Sequence, residues 1–596
     1  MLKKFFLNLA SSFVGTWLAL LIFIGAAILT VLGIVGSMAI SGSNETASVE
    51  SRSILKIDLD GAVTEREMPV EPSLSQLVSG GLETPQTLDV ITMAIKEAAE
   101  NDDIIAIYLK CGSLSASPAT LNAIRHELQE FRKSGKKVYA YGDTFTQGCY
   151  FIASAADKVY MNPMGELSLQ GMSSTNLYMK GLLDKLGVQF QVVKVGTYKS
   201  AVEPYILEDM SEPARAQMDT LLTNMWDYIA ESISVSRIKM TDRRLNALID
   251  SVNISYAPQQ VAVKSGLIDK LMYEREMTKK LAEIAGKSEE KLNLVSPQTL
   301  VTQSPWSDAY DSKKRIAVLY AVGEIEDGNS NAIDYQTLVP LINKLADDEN
   351  VKGMVLRVNS PGGSAFGSDQ IGNALDYFQS KGKPLAVSMG DYAASGGYWI
   401  SACADRIFAD PLTITGSIGI FGLIPNFKGT MNMLGVNAAT VSTNPEANFP
   451  TIIEPMTERQ LQVMQKYVER GYDAFTSRVA KGRKMSQARV RQIGEGRVWD
   501  ASKAQQIGLV DSLGYLQNAI DWVANKAKLN KDYDVAAYPE FKPTIWNMIP
   551  LGGSSIEEMS NAISRNDWSL FNAYLIKKIL ARKPVQARMP AIMISI

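Results

Sequence analysis

The sequence has one histidine, His126, among 596 residues, and that scarcity restricts its chemistry more than any motif does. A Ser-His-Asp triad would have to use His126, and a histidine-rich metal site is excluded. His126 lies in residues 118–134, an amphipathic pattern in which Arg125 and Glu127 flank it, and this predicts a surface helix. Any serine nucleophile in this chain therefore calls for a different base. Cysteine is nearly as rare. Cys111, Cys149 and Cys403 are too few and too scattered for a disulfide framework or a zinc site. All three fall in segments that read as buried, which points to packing. No excess of one charge exists either: the net charge of -3 gives no case for nucleic acid as a main partner. No metal and no cofactor is expected.

Charge is also missing from one whole stretch. Between Lys4 and Glu45 the chain carries none, and residues 14–40 are almost wholly apolar, with Trp17 near the start. That run is too long for the apolar core of a cleaved signal and long enough to span a bilayer with some tilt. Lys3 and Lys4 precede it and favour a cytoplasmic N-terminus, with the bulk of the chain on the far side. The expected division is an anchor and linker (1–50), two repeats (51–300 and 301–540) and a tail (541–596).

What is present is a duplication. Strands are predicted at 54–59, 104–109 and 137–141, and again at 316–320, 353–358 and 384–389, with helical patterns between them. This alternation predicts an α/β fold with buried parallel strands. Gly142-Asp143 matches Gly390-Asp391, Gly148 matches Gly396, Tyr150 matches Tyr398, Asp157 matches Asp405 and Pro163 matches Pro411, all 248 positions apart. A-x-x-x-G-L-[I/V]-D then occurs at 262–269 and 504–511, at an offset of 242. So many matches in one order identify a duplicated domain.

The repeat fails where chemistry is expected. The second half reads G-D-Y-A-A-S-G-G at 390–397, with Ser395 where an apolar strand hands over to a helix. Two glycines follow, so backbone N–H groups can approach a ligand closely, and a helix N-terminus favours developing negative charge. A serine beside such a turn suits acyl transfer, although close helix–strand packing alone would also explain S-G-G. The first half has Gln147 at the matching position. It carries instead V-G-T-Y-K-S-A-V-E-P-Y at 195–205, whose Lys199 falls opposite Ala447. Ser417, in T-G-S-I-G, is opposed by Leu169. One half thus holds a candidate nucleophile and the other a candidate base. A lysine can act as a base only when neutral, and burial in an apolar pocket disfavours the ammonium. The N–H of Gly396 is one candidate oxyanion donor and the turn N-S-P-G-G-S at 359–364 offers the other, although read alone that segment favours a simple Pro-Gly turn. Position 393 is Ala, which disfavours an α/β-hydrolase elbow.

The segments V-G-T-Y-K-S-A-V-E-P, N-S-P-G-G-S, A-A-S-G-G-Y-W-I and I-T-G-S-I-G-I-F together resemble the long form of bacterial signal peptide peptidase A, or protease IV. The resemblance covers the anchor, both repeats and their order, and says least beyond about residue 541. It implies tandem Clp-protease/crotonase-like domains and a Ser/Lys dyad. Ser395 would be the nucleophile and Lys199 the general base, with Gly363 and Gly396 in the oxyanion hole and Ser417 orienting the lysine. It further implies a homo-oligomer, a tetramer, anchored in the bacterial inner membrane. Its bulk would lie on the periplasmic side, and its substrates would be cleaved signal peptides and other apolar peptides. Two competing expectations remain, a crotonase-type acyl-CoA enzyme and a catalytically silent membrane scaffold.

Overall fold

A computed structural model describes residues 49–66, 86–237, 241–252, 254–301, 312–328, 332–530, 532–540, 585–589 and 594–595. Among these residues no helix is long and apolar enough to cross a membrane; the 14–40 stretch lies outside them.

Each half is built on a mainly parallel sheet. In the first, Ser53–Thr64, Ile104–Ser115, Lys137–Phe145 and Lys158–Leu167 lie side by side in that order, all parallel. In the second, Arg315–Val322 and Val351–Ser360 precede Leu385–Ala394, again parallel. Arg315–Val322 is Val-, Ile- and Ala-rich because helices cover both faces of its sheet; every residue in it but the last is buried. The strand before Ser395 runs five residues past the predicted end at Met389.

The matched positions of the repeat have a common physical cause. The Tyr150 hydroxyl donates to the Leu267 carbonyl and the Tyr398 hydroxyl to the Leu509 carbonyl, both at 2.8 Å. Asp157 accepts from the Val138 N–H and Asp405 from the Leu385 N–H. Asp269 and Asp511 likewise accept the N–H groups of Val159 and Ile407 and pair with Arg237 and Arg483. The repeated aspartates thus satisfy strand N–H groups and the repeated tyrosines loop carbonyls, which an apolar substitute could not do.

The halves meet through polar contacts at the strand ends. Glu65 takes two hydrogen bonds from the Arg357 guanidinium, at 2.9 and 3.0 Å, and a third from Asn359. Asp391 accepts from Thr120 and Asn359, and Asp410 from Asn122. Burial pushes the Asp410 carboxyl up to about 7. Helix Pro118–Arg132, expected at the surface, lies in this junction. Arg125 is 2% exposed and Glu127 7%; Arg125 is buried by its own half, where its guanidinium donates to the Phe151 and Ser232 carbonyls and the Ser154 and Ser236 hydroxyls. Of the three thiols, Cys111 and Cys149 are buried and unbridged, and Cys403 is only partly covered.

The junction gives a stability prediction. Arg357→Ala would strand the Glu65 carboxylate in the interior, at a cost of about 3–5 kcal/mol. Paired replacement of both by Met should cost far less, and urea unfolding of the two variants measures the difference.

Candidate active site

Leu385–Ala394 and Ile414–Gly416 run parallel with Ala394 opposite Gly416, and the Ser395 N–H donates to the Gly416 carbonyl at 2.8 Å. This register sets Ser395 and Ser417 side by side. Both have left-handed backbones, φ 55° and 51°, a conformation that costs a non-glycine residue about 1–3 kcal/mol and persists where surrounding structure enforces it. Helix Gly396–Ser401 begins directly after Ser395. It is held by the Tyr398 hydroxyl bond and by Trp399 stacked on Phe475 with centroids 4.6 Å apart.

Lys199 arrives from the other half. Strand Gln189–Val195 pairs antiparallel with Ile420–Asn426 of the second half, Val195 opposite Ile420. The chain then turns through Gly196 (φ 114°), where a Cβ would lie 2.6 Å from the Glu495 carbonyl carbon. Thr197 donates to the Glu495 carboxylate and the Tyr198 N–H to the Glu495 carbonyl. Gly496 is as constrained, since a Cβ there would sit 2.7 Å from that of Lys199. Gly494-Glu495-Gly496 is thus the seat of the lysine. Sequence reasoning missed it, because the docking of one half on the other makes it and no motif in either half announces it.

The Lys199 Nζ lies 2.8 Å from the Ser395 Oγ, 3.0 Å from the Ser417 Oγ and 3.1 Å from the Ser417 carbonyl oxygen. Lys199, Ser395 and Ser417 are each 0% exposed. Burial holds the Lys199 ammonium well below the ordinary lysine range. A neutral amine then matches its surroundings: two N–H groups serve the two Ser417 oxygens, and the lone pair is free to accept the Ser395 hydroxyl. The pair forms within one chain.

The turn that holds Gly362 and Gly363 comes close to Gly396. Strand Gly362–Ser364 follows Val351–Ser360 at once, and Gly362 and Gly363 have φ of 101° and 152°. A Cβ at Gly362 would come within 2.7 Å of the Gly396 nitrogen, so only glycine permits the approach. The first half shows the same turn closed. The Gln147 side chain accepts from the Gln170 and Gly171 N–H groups and donates to the Gly171 carbonyl, each at 2.8 Å, and Leu169 is buried where the second half has Ser417.

With a buried serine–lysine pair inside a duplicated α/β scaffold, the comparison with known proteins is decisive. The model of peptidase family S49 matches residues 130–288 and again 377–530. This chain belongs to peptidase family S49. It is similar to Protease 4 of Haemophilus influenzae, 38% identical over 513 residues, 83% of this chain and 82% of that one. It is similar also to Protease 4 of Salmonella typhi, 34% identical over 524 residues, 85% and 83% of the two chains. A chloroplastic serine protease SPPA of Arabidopsis thaliana is 25% identical over 556 residues, 91% and 78% of the two. As an S49 member the chain is a serine peptidase, and the acyl-CoA enzyme and the silent scaffold are both set aside. Each half carries one match, so the duplication is of the S49 domain itself.

His126 is half-buried rather than on an open surface, stacked on Tyr515 with ring centroids 3.9 Å apart. In this S49 peptidase His126→Ala is expected to keep the wild-type kcat while losing about 0.5–1.5 kcal/mol of stacking. Parallel assays of turnover and melting temperature check both parts.

Proposed function

We propose that Ser395 is the nucleophile and Lys199 the general base of a Ser/Lys endopeptidase that hydrolyses apolar peptides, cleaved signal peptides among them. The observation that carries the reading is the 2.8 Å contact between a fully buried lysine and the serine hydroxyl. Ser395 Oγ attacks the scissile carbonyl carbon and its proton passes to Lys199 Nζ. The tetrahedral oxyanion lies between the N–H groups of Gly363 and Gly396, whose donation is strongest as charge develops. Lys199 returns the proton to the leaving amine, and water then opens the acyl-enzyme by the same route. Ser417 is a positioning residue that aims the amine.

Further parts of the reading come from the sequence and the family. Each half would adopt the Clp-protease/crotonase-like form, as the parallel strands and the strand–Ser–Gly-Gly turn suggest. The 14–40 stretch would cross the bacterial inner membrane once and contact its lipid, with the remainder periplasmic and assembled as a homotetramer. An active site tethered close to a bilayer would meet apolar peptides, which supports the substrate class.

The test is digestion of synthetic signal peptides and of highly charged peptides of equal length, combined with fluorophosphonate labelling. Labelling at Ser395 with preferential loss of the signal peptides is expected. Labelling elsewhere would reject the nucleophile, and faster loss of the charged peptides would reject the substrate class.

A further inference from the structure

A peptidase nucleophile with no solvent exposure cannot meet a substrate, so some covering group has to give way. One cover is the chain's own C-terminal region. Val585–Arg588 forms a strand between Gly362–Ser364 on one side and Ile420–Asn426 on the other, antiparallel to both. The first neighbour contains Gly363, and the second is paired to the strand that delivers Lys199. The tail strand therefore lies in the slot that both halves of the site border.

Its register is informative. Ala587 pairs with Gly363, Gln586 with Ser364 and Phe421, and Arg588 with Gly362. The Ala587 carbonyl oxygen enters the cleft between the two glycine turns. A Cβ at Gly396 would lie 3.1 Å from that oxygen, and one at Gly362 would collide with it. Ala587 is wholly buried, in the same cluster as Ile325 and Tyr398. On its C-terminal side Arg588 pairs with Glu324 and the Met589 N–H donates to the Pro361 carbonyl at 2.8 Å. Ile594–Ser595 then pairs with Ser173–Ser174 of the first half. A segment bound by backbone pairing on both edges, with its carbonyl in the cleft between Gly362 and Gly396, has the geometry of a peptide that adds as a strand.

Building on the Ser/Lys reading, we propose that this slot is the peptide-binding channel and that Val585–Arg588 occupies it as a built-in competitor. In this arrangement Ala587 stands for the substrate residue on the acyl side of the scissile bond and Arg588 for the first residue on the leaving side. Substrate enters by displacing the tail. The wholly buried Ala587 position makes the channel selective for a small side chain there. Because the tail is part of the same chain, it competes intramolecularly, at an effective concentration on the order of millimolar. The apparent KM is raised by the reciprocal of the open fraction, so a tenfold effect corresponds to about nine molecules in ten closed.

The experiment uses the full chain in detergent, a chain ending at Lys583, and full-length Ala587→Trp, which keeps the tail but cannot seat it. Both altered proteins are expected to hydrolyse a fluorogenic peptide with a KM about tenfold lower and kcat within about twofold of wild type, as release of a competing state requires. A synthetic peptide of sequence KPVQARMPAI, residues 583–592, should inhibit the shortened enzyme competitively, and the same peptide with Trp in place of Ala should not. Unchanged KM in Ala587→Trp, or inhibition that does not discriminate Ala from Trp, overturns the proposal even if the shortened chain fails to fold. Normal turnover and Ser395 labelling in that case leave the Ser/Lys reading standing. Absence of both in wild type would remove that reading and the competitor together.

Discussion

Ser395→Ala is expected to lower kcat for a peptide amide by roughly 10⁵-fold, the order seen when a nucleophile is removed from a working constellation. In the proposed mechanism the effect is large because Ser395 supplies the bond-forming atom. Ser417 has a different place in the proposed reading, holding the Lys199 amine through its hydroxyl and its carbonyl oxygen. The fold should survive, since helix Gly396–Ser401 is held by Tyr398 and Trp399 and not by the serine side chain. Ser395→Gly adds a stricter test. It should be equally inactive yet more stable, because glycine relieves a left-handed backbone that costs about 1–3 kcal/mol. Active-site strain predicts the pairing of lost turnover with a raised melting temperature. Wild-type turnover in either variant would refute the assignment of the nucleophile.

Lys199→Arg should be as inactive as Lys199→Ala, with kcat down by about 10⁴-fold. Arginine keeps the charge and much of the length, but it does not lose its proton in the accessible pH range. The guanidinium also finds no carboxylate at this site: the groups around the Nζ are Ser395 and Ser417. A residue whose task was to hold positive charge would tolerate the change, whereas a proton acceptor would not. The same burial has a stability consequence. The unfolded chain keeps its Lys199 proton up to the ordinary lysine value and the folded chain releases it earlier. In the window between those two values the unfolded state binds more protons, so stability rises with pH there. Lys199→Met should abolish that part of the pH dependence.

The α/β class and the duplication were legible because they rest on local regularities. Strand N–H groups need acceptors and buried loop carbonyls need donors, so Asp157 and Asp405 recur for the first reason and Tyr150 and Tyr398 for the second, at one fixed offset. Ser395 and Lys199 were legible for the opposite reason: the offset failed at them, and each half lacks what the other supplies. What could not be read depends on the contact between halves. The seat of Lys199 on Glu495 and Gly496, the bond of Asn122 to Asp410 and the stacking of His126 on Tyr515 all arise where the repeats meet. Periodicity within one helix has no access to that surface. The path of Val585–Arg588 through the site was equally hidden, since four residues of ordinary strand composition carry no sign of which sheet they join.

The most direct test of the central claim is the rate at which a fluorophosphonate modifies Ser395 as a function of pH, since it reads activation of the serine without substrate binding or product release. The dyad predicts a rate that rises through one ionisation well below the ordinary lysine value, persists in His126→Ala and is lost in Lys199→Ala. A pH profile unchanged by removing Lys199 but abolished by removing His126 would contradict it.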